Sequence, residues 1–151
     1  MLAEAINMLV WAFISCCLDC CNSLFYGIAE GFMIRLQSVQ NAAARLVSDA
    51  QHYDCITPVL QKLHWFPFRR RVDFKMATLV YLSLSDMAPA YLAANCQLVS
   101  DDSPCQLRSA TSRTCVVRRT YSNYRDRCFA SAGPQLWNSL PADLWQADIS
   151  F

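Results

Sequence analysis

Apolar positions recur at helical spacing over most of this chain, and period-two alternation is nearly absent. The clearest period spans residues 32–47. There Phe32, Leu36, Val39, Ala43 and Leu46 repeat every three or four positions, while Arg35, Gln37, Ser38, Gln40, Asn41 and Arg45 fall mostly on other faces. A second stripe, Phe68, Val72, Met76, Leu79 and Val80, predicts a helix that Pro67 opens. Phe74, Tyr81 and Leu84 give it another apolar side, so it belongs at the centre of a small bundle. Residues 3–26 also read as helix, with Ile6, Leu9, Val10, Phe13 and Cys17 on one stripe. The opposite side is barely more polar, which predicts burial on most faces or an apolar face left bare.

Punctuation between these segments sets the rest. Gly27 is placed to stop the first helix, and Gly31 is a weak point before the next. Residues 48–55 form a polar connection. Thr57 is placed to cap a short helix with Pro58 at its first position. Pro67 closes that piece, because the residue before a proline avoids helical geometry. Residues 86–89 break the pattern, 89–98 read as a short helix, and 99–113 as loop. Cys115, Val116 and Val117, within residues 114–120, are the credible strand material, with 107–110 as their expected pairing partner. Helix is expected again over 123–132. Gly133-Pro134 punctuates, and Leu136, Trp137, Leu140 and Trp145 pin the last segment to the core. The fold class is mainly α: a small irregular helical bundle with at most one short β-hairpin. A single domain is expected, with residues 1–98 as helical bundle and 99–151 as loop, short strand and terminal helices.

Composition sharpens this picture in three places. Charged residues make up 17% of the 151 positions and hydrophobic ones 54%, against roughly 25% charged in an ordinary globular chain. So charge-poor a surface predicts a face awaiting a partner, or a piece of something larger. The net charge of +1 is unevenly spread. Residues 1–34 carry Glu4, Asp19 and Glu30 and no base, whereas residues 35–75 carry seven bases against three acids. Residues 108–127 carry six arginines against Asp126. Local blocks of this kind are what an anionic partner meets. Between Glu4 and Asp19 the uncharged run covers about 21 Å of helix, short of the roughly 30 Å of a bilayer core. A buried helix is therefore expected ahead of a membrane span. Nine cysteines, an odd number with no basic residue ahead of the apolar run, predict reduced thiols in a cytoplasmic or nuclear protein that is not secreted.

Candidate chemistry is sparse. Cys17 and Cys20, with His52 and Cys55, can be written as four zinc ligands. However, Cys17 and Cys20 sit within an apolar helical run where small buried thiols serve equally well. His64, between Leu63 and Trp65, reads as a packed, hydrogen-bonded imidazole. Asp101-Asp102 reads as a solvated turn, and there is no Gly-rich phosphate cradle. No catalytic residue, metal or cofactor is expected. The arginines are the strongest feature. Arg69, Arg70 and Arg71 occupy the first turn of a helix, where the dipole favours anions, and a partner anion would relieve them. Lys75 follows on the same helix. Residues 118–127, RRTYSNYRDR, interleave Arg118 and Arg119 with Tyr121 and Tyr124, a composition suited to phosphate contact and base stacking. Tyrosine rings packed on the core beside an ordinary solvated face are the competing reading.

Five segments carry a family likeness: LDCCNSLFYGI (18–28), RLQSVQNAAARLV (35–47), ITPVLQKLHWFPF (56–68), RVDFKMATLVYLSLSDMAPAYL (71–92) and GPQLWNSLPADL (133–144). In order and spacing, over roughly residues 18–151, the chain resembles the C-terminal part of reverse transcriptases from non-LTR, LINE-type retrotransposons of the jockey-like kind. The resemblance implies a partial domain, the thumb and the segment after it. The polymerase's paired catalytic aspartates lie upstream of this region, so Asp101-Asp102 does not correspond to them. It also implies an RNA-directed DNA polymerase piece without catalysis, retaining at most nonspecific grip on a template-primer. Arg69, Arg70, Arg71, Arg118 and Arg119 are then backbone-gripping candidates. Where the family usually reads Ser-Arg-Leu-Asp-Tyr-Cys, this chain has Cys16-Cys17-Leu18-Asp19-Cys20-Cys21. RNA or DNA backbone is the expected partner. The alternatives are a helical interaction module whose partner protein covers the apolar N-terminal helix, or a small membrane-associated protein.

Overall fold

Helices stand where the apolar period runs longest. The computed structural model describes residues 2–102, 113–119, 121–122, 124–141 and 144. They form α1 (Leu2–Asp19), α2 (Glu30–Ser48), α3 (Ile56–Lys62), α4 (Phe68–Leu84), α5 (Ala90–Ala93), α6 (Val99–Asp102) and α7 (Phe129–Ser139), with 3-10 turns at Asn22–Phe25 and Arg125–Arg127. The protein is mainly α, as the patterning predicts. Among the described residues no helix is long and apolar enough to cross a membrane. The chain divides into two compact units, Met1–Asp73 and Phe74–Phe151.

In the first unit, Leu18, Met33, Phe68 and Val72 form one buried cluster, with Ile14, Phe25, Tyr26, Ile28 and Leu36 packed against it. Ala43, Ala44, Leu60 and Trp65 form another. Two inner faces differ from the sequence expectation. α1 stops at Asp19, well before residue 26, because Cys21 turns into the left-handed region (φ 52°). It buries Leu18 and half-buries Val10 and Ile14, while Leu9, Phe13 and Cys17 are exposed. α2 buries Met33, Gln40, Ala43 and Ala44 and leaves Phe32, Val39 and Leu46 in solvent. The physical reason lies in two glutamines. Gln40 Nε2 donates to the Phe66 carbonyl (2.8 Å), and the Phe68 amide donates to Gln37 Oε1 (2.7 Å). The Phe68 N–H opens α4 and has no partner within the helix. Gln37 supplies that partner from another helix, and the α2 face carrying both glutamines must point inward.

Helix ends follow a shared rule. Asp49, His64 and Asp86 all stand at φ 55° just beyond α2, α3 and α4. The next amide in each case reaches back five residues: Ala50 to the Arg45 carbonyl (3.3 Å), Trp65 to Leu60 (2.9 Å) and Met87 to Leu82 (3.0 Å). This is the Schellman closure that glycine usually provides. With three glycines in the chain, aspartate and histidine take the role. His64 is therefore an exposed helix-end residue and not a packed imidazole. α3 begins at Ile56 after an N-cap at Cys55, so Thr57 is not the cap. Pro58 falls third, still within the turn whose amides need no helical acceptor.

In the second unit, Val80, Cys96, Cys115 and Trp137 form the buried cluster, with Tyr81, Leu84, Leu98, Phe129 and Leu140 against it. The expected stripe of α4 is buried at Phe68, Val72, Met76 and Val80, all at most 2% exposed, and half-buried at Leu79. Phe74 instead lies in solvent. No hairpin forms among the described residues. Cys115 makes a single antiparallel bridge to Leu98, and the expected partner segment 107–110 lies outside the described residues, as does Trp145. The other edge of Cys115 is taken by a side chain, because its N–H and carbonyl each bond the Asn138 amide at 2.8 Å. Trp137 Nε1 donates to the Arg113 carbonyl (2.8 Å). Gly133 and Pro134 do not punctuate but sit buried inside α7. A Cβ at Gly133 would stand 3.0 Å from Val80 Cγ2 and 3.2 Å from Phe129 Cε2. The bare Cα is what lets α7 lie so close to Val80. The missing N–H of Pro134 costs the helix one internal bond.

Candidate nucleic-acid interface

Three arginines in sequence need not be three equivalent charges, and here they are not. The first turn of α4 projects Arg69, Arg70 and Arg71 from the first unit. Arg71 Nη1 lies 2.9 Å from both carboxylate oxygens of Asp19, at the end of α1, and its Nε donates to the Phe66 carbonyl (3.1 Å). Its side chain is only 13% exposed. Arg71 therefore ties α1 to the start of α4. Arg69 is exposed and pairs with Glu30. Arg70 is exposed and makes no hydrogen bond or ion pair to a described residue. Its charge, with that of Arg69, partly offsets the burial that pushes the Asp73 carboxyl above its usual range. The anions that an N-terminal arginine cluster calls for are thus supplied in part by the protein, through Asp19 and Glu30. Arg70 is the member of the three left to face an external one.

The second unit holds the remaining candidates. Lys75 is exposed on α4. Beyond the Cys115 bridge, residues 116–119 lie in no helix or strand, and Arg118 and Arg119 are both in solvent. Tyr121 is 96% exposed and Tyr124 83% exposed. The rings are therefore not on the core. A fully wet tyrosine gains nothing from burial, so its face is free to stack. Arg125 and Arg127, on the 3-10 turn just after Tyr124, are exposed as well. They belong to the same basic segment, and the spacing RRTYSNYRDR already signalled them. Arg118, Arg119, Tyr121, Tyr124, Arg125 and Arg127 lie within ten consecutive residues, anchored at one end by the Asn138–Cys115 bonds and at the other by α7. Four cations and two aromatic faces on one short tether can meet several phosphates and stack on bases.

Other constellations do not assemble. Among the described residues no group of three or more His, Cys, Asp or Glu side chains could hold a metal ion. Cys16, Cys17, Cys20, Cys21 and Cys55 are exposed thiols, so burial does not account for the cysteine cluster either. Cys20 is pushed up by the neighbouring Cys21 thiol, 4.0 Å away. Among the described residues the buried thiols are Cys96 and Cys115, and burial raises the latter to about 12. The backbone of Asp101 and Asp102 forms the end of the single turn α6. No protein-family model, curated protein or solved structure matches the chain.

Proposed function

We propose that the chain is a thumb-side, C-terminal piece of a non-LTR retrotransposon reverse transcriptase that grips nucleic-acid backbone nonspecifically and performs no catalysis. The segment likenesses over residues 18–151 support the origin. The observation that carries the binding reading is the exposure of Tyr121 and Tyr124, 96% and 83%, among four exposed arginines. Phosphate contacts supply affinity without sequence information. Aromatic stacking adds about 1–3 kcal/mol per base regardless of base identity. The 118–127 segment can provide both, and Lys75 is a further exposed cation of the same unit, as Arg70 is of the first. The sequence contains no aromatic-or-Ala-x-Asp-Asp motif, which is why the reading stops at binding. A reducing cytoplasmic or nuclear setting fits the exposed thiols.

Anisotropy of a labelled single-stranded oligonucleotide tests the proposal. With about six phosphate contacts on a single strand, affinity should fall by roughly 10²–10³ between 50 and 200 mM salt. Tyr121→Ala with Tyr124→Ala should weaken binding further at fixed salt, equally for unrelated sequences. Salt-insensitive binding, or no binding by folded protein at low salt, would overturn the proposal.

A further inference from the structure

The first unit leaves an apolar groove between α1 and α2 that no described segment fills. Leu9, Val10, Phe13 and Ile14 line one wall and Val39, Ala42, Ala43 and Leu46 the other, enclosing about 430 Å³. None of these side chains is polar or charged. On α2 the exposed rim residues Phe32, Val39 and Leu46 are spaced seven apart, the repeat of a coiled-coil seam awaiting another helix. On α1, Leu9 and Phe13 stand one turn apart along the facing rim.

We infer that this groove is an interface between two copies of the chain, related by a two-fold axis that sets α1 of one copy against α2 of the other. Two features select a second copy. The first is area. At about 150–250 Å² per large side chain, the exposed fractions of Leu9, Phe13, Phe32, Val39 and Leu46 (70, 65, 60, 51 and 68%) amount to roughly 600 Å². That is most of the ~800 Å² that a stable complex buries on each partner. The second is self-complementarity. A lining without charge sets no demand for an unlike partner, and an isologous pairing repeats each contact twice. The pairing is independent of the basic segment at 118–127.

Light scattering on the nuclease-treated full chain, with reductant present and at about 10–100 μM, reads the outcome. The expected mass is twice the 17.1 kDa of the chain. Phe13→Glu and Leu46→Glu, made separately, should each raise the dissociation constant by roughly 30-fold or more. Helical circular dichroism should be unchanged, since both side chains are mostly in solvent. Should one variant lose its helical signal, the other decides. Phe74→Glu, exposed but in the second unit, should leave the dimer intact. A monomeric wild type overturns the inference, including one that instead takes up a phospholipid vesicle or a small apolar ligand at the groove. So does a dimer indifferent to both groove substitutions.

Discussion

Gln40 is fully buried and Gln37 is not, yet removal of Gln37 should cost the protein more. Gln40 gives one bond to the Phe66 carbonyl and accepts one from Gln37 Nε2 at 3.2 Å. Both partners have a replacement. The Phe66 carbonyl also accepts from Arg71 Nε (3.1 Å), and Gln37 Nε2 also donates to Asn41 Oδ1 (2.8 Å). Gln40→Leu, close in volume, therefore forfeits about 1 kcal/mol of net hydrogen bonding and regains part of it as apolar burial. Gln37→Leu removes the acceptor that α2 offers the Phe68 amide, whose residue is 1% exposed. An orphaned buried donor costs about 1–3 kcal/mol. Urea unfolding followed by helical circular dichroism measures both variants, compared at equal m so that the difference reflects stability. The expected order is Gln37→Leu less stable than Gln40→Leu by about 1 kcal/mol or more. Equal losses, or a larger loss at Gln40, would show that depth of burial and not partner redundancy sets the cost, and the account of how α4 is anchored would fail.

Close packing, burial and charge set three further outcomes. Gly133→Ala places a Cβ 3.0 Å from Val80 Cγ2, and this overpacking should lower stability by about 1–3 kcal/mol in the same urea assay. A gain from helix propensity would contradict the close approach of α7 to Val80. Burial lifts the Asp73 carboxyl above its ordinary 3.8, so the folded chain holds the proton to higher pH than the unfolded one. Stability from this group is thus lost as pH rises through the window above 3.8. Asp73→Asn should be more stable than wild type at pH 7 and gain nothing at pH below that value, whereas a pH-independent difference would refute the cause assigned. Peptide mapping after brief alkylation should find Cys16, Cys17, Cys20, Cys21, Cys55 and Cys128 modified and Cys96 and Cys115 spared, because the latter pair is buried and both thiols are pushed up. Early labelling of Cys115 would place it outside the core.

What the sequence disclosed depended on how local each cause was. The inner stripe of α4 was legible because one period of large apolar residues decides its face without help from elsewhere. The face of α2 was not, because Gln37 and Gln40 point inward to serve Phe68 and Phe66, partners about thirty positions away that no local period registers. Glutamine reads as polar by type, and only its partner shows it to be interior. The same distance hides the division of labour among Arg69, Arg70 and Arg71. Identical side chains became a strut, a surface pair and an outward-facing cation according to where Asp19 and Glu30 lie. The strand material around Cys115 was recognised, but its second edge is met by the Asn138 amide, a substitution that β-propensity cannot foresee. At 118–127 the composition named the chemistry and left open whether the tyrosines faced the core. Their exposure resolves that point.

The central claim is that residues 118–127 grip a polyanion through their arginines. The most direct test is the slope of log affinity against log salt for a single-stranded oligonucleotide, wild type against the combined Arg118, Arg119, Arg125 and Arg127→Ala variant. Each lost phosphate contact should reduce the slope by about 0.7, so the variant should be shallower by roughly 3 while remaining folded. An unchanged slope in a folded variant would place any binding elsewhere on the chain and contradict the account.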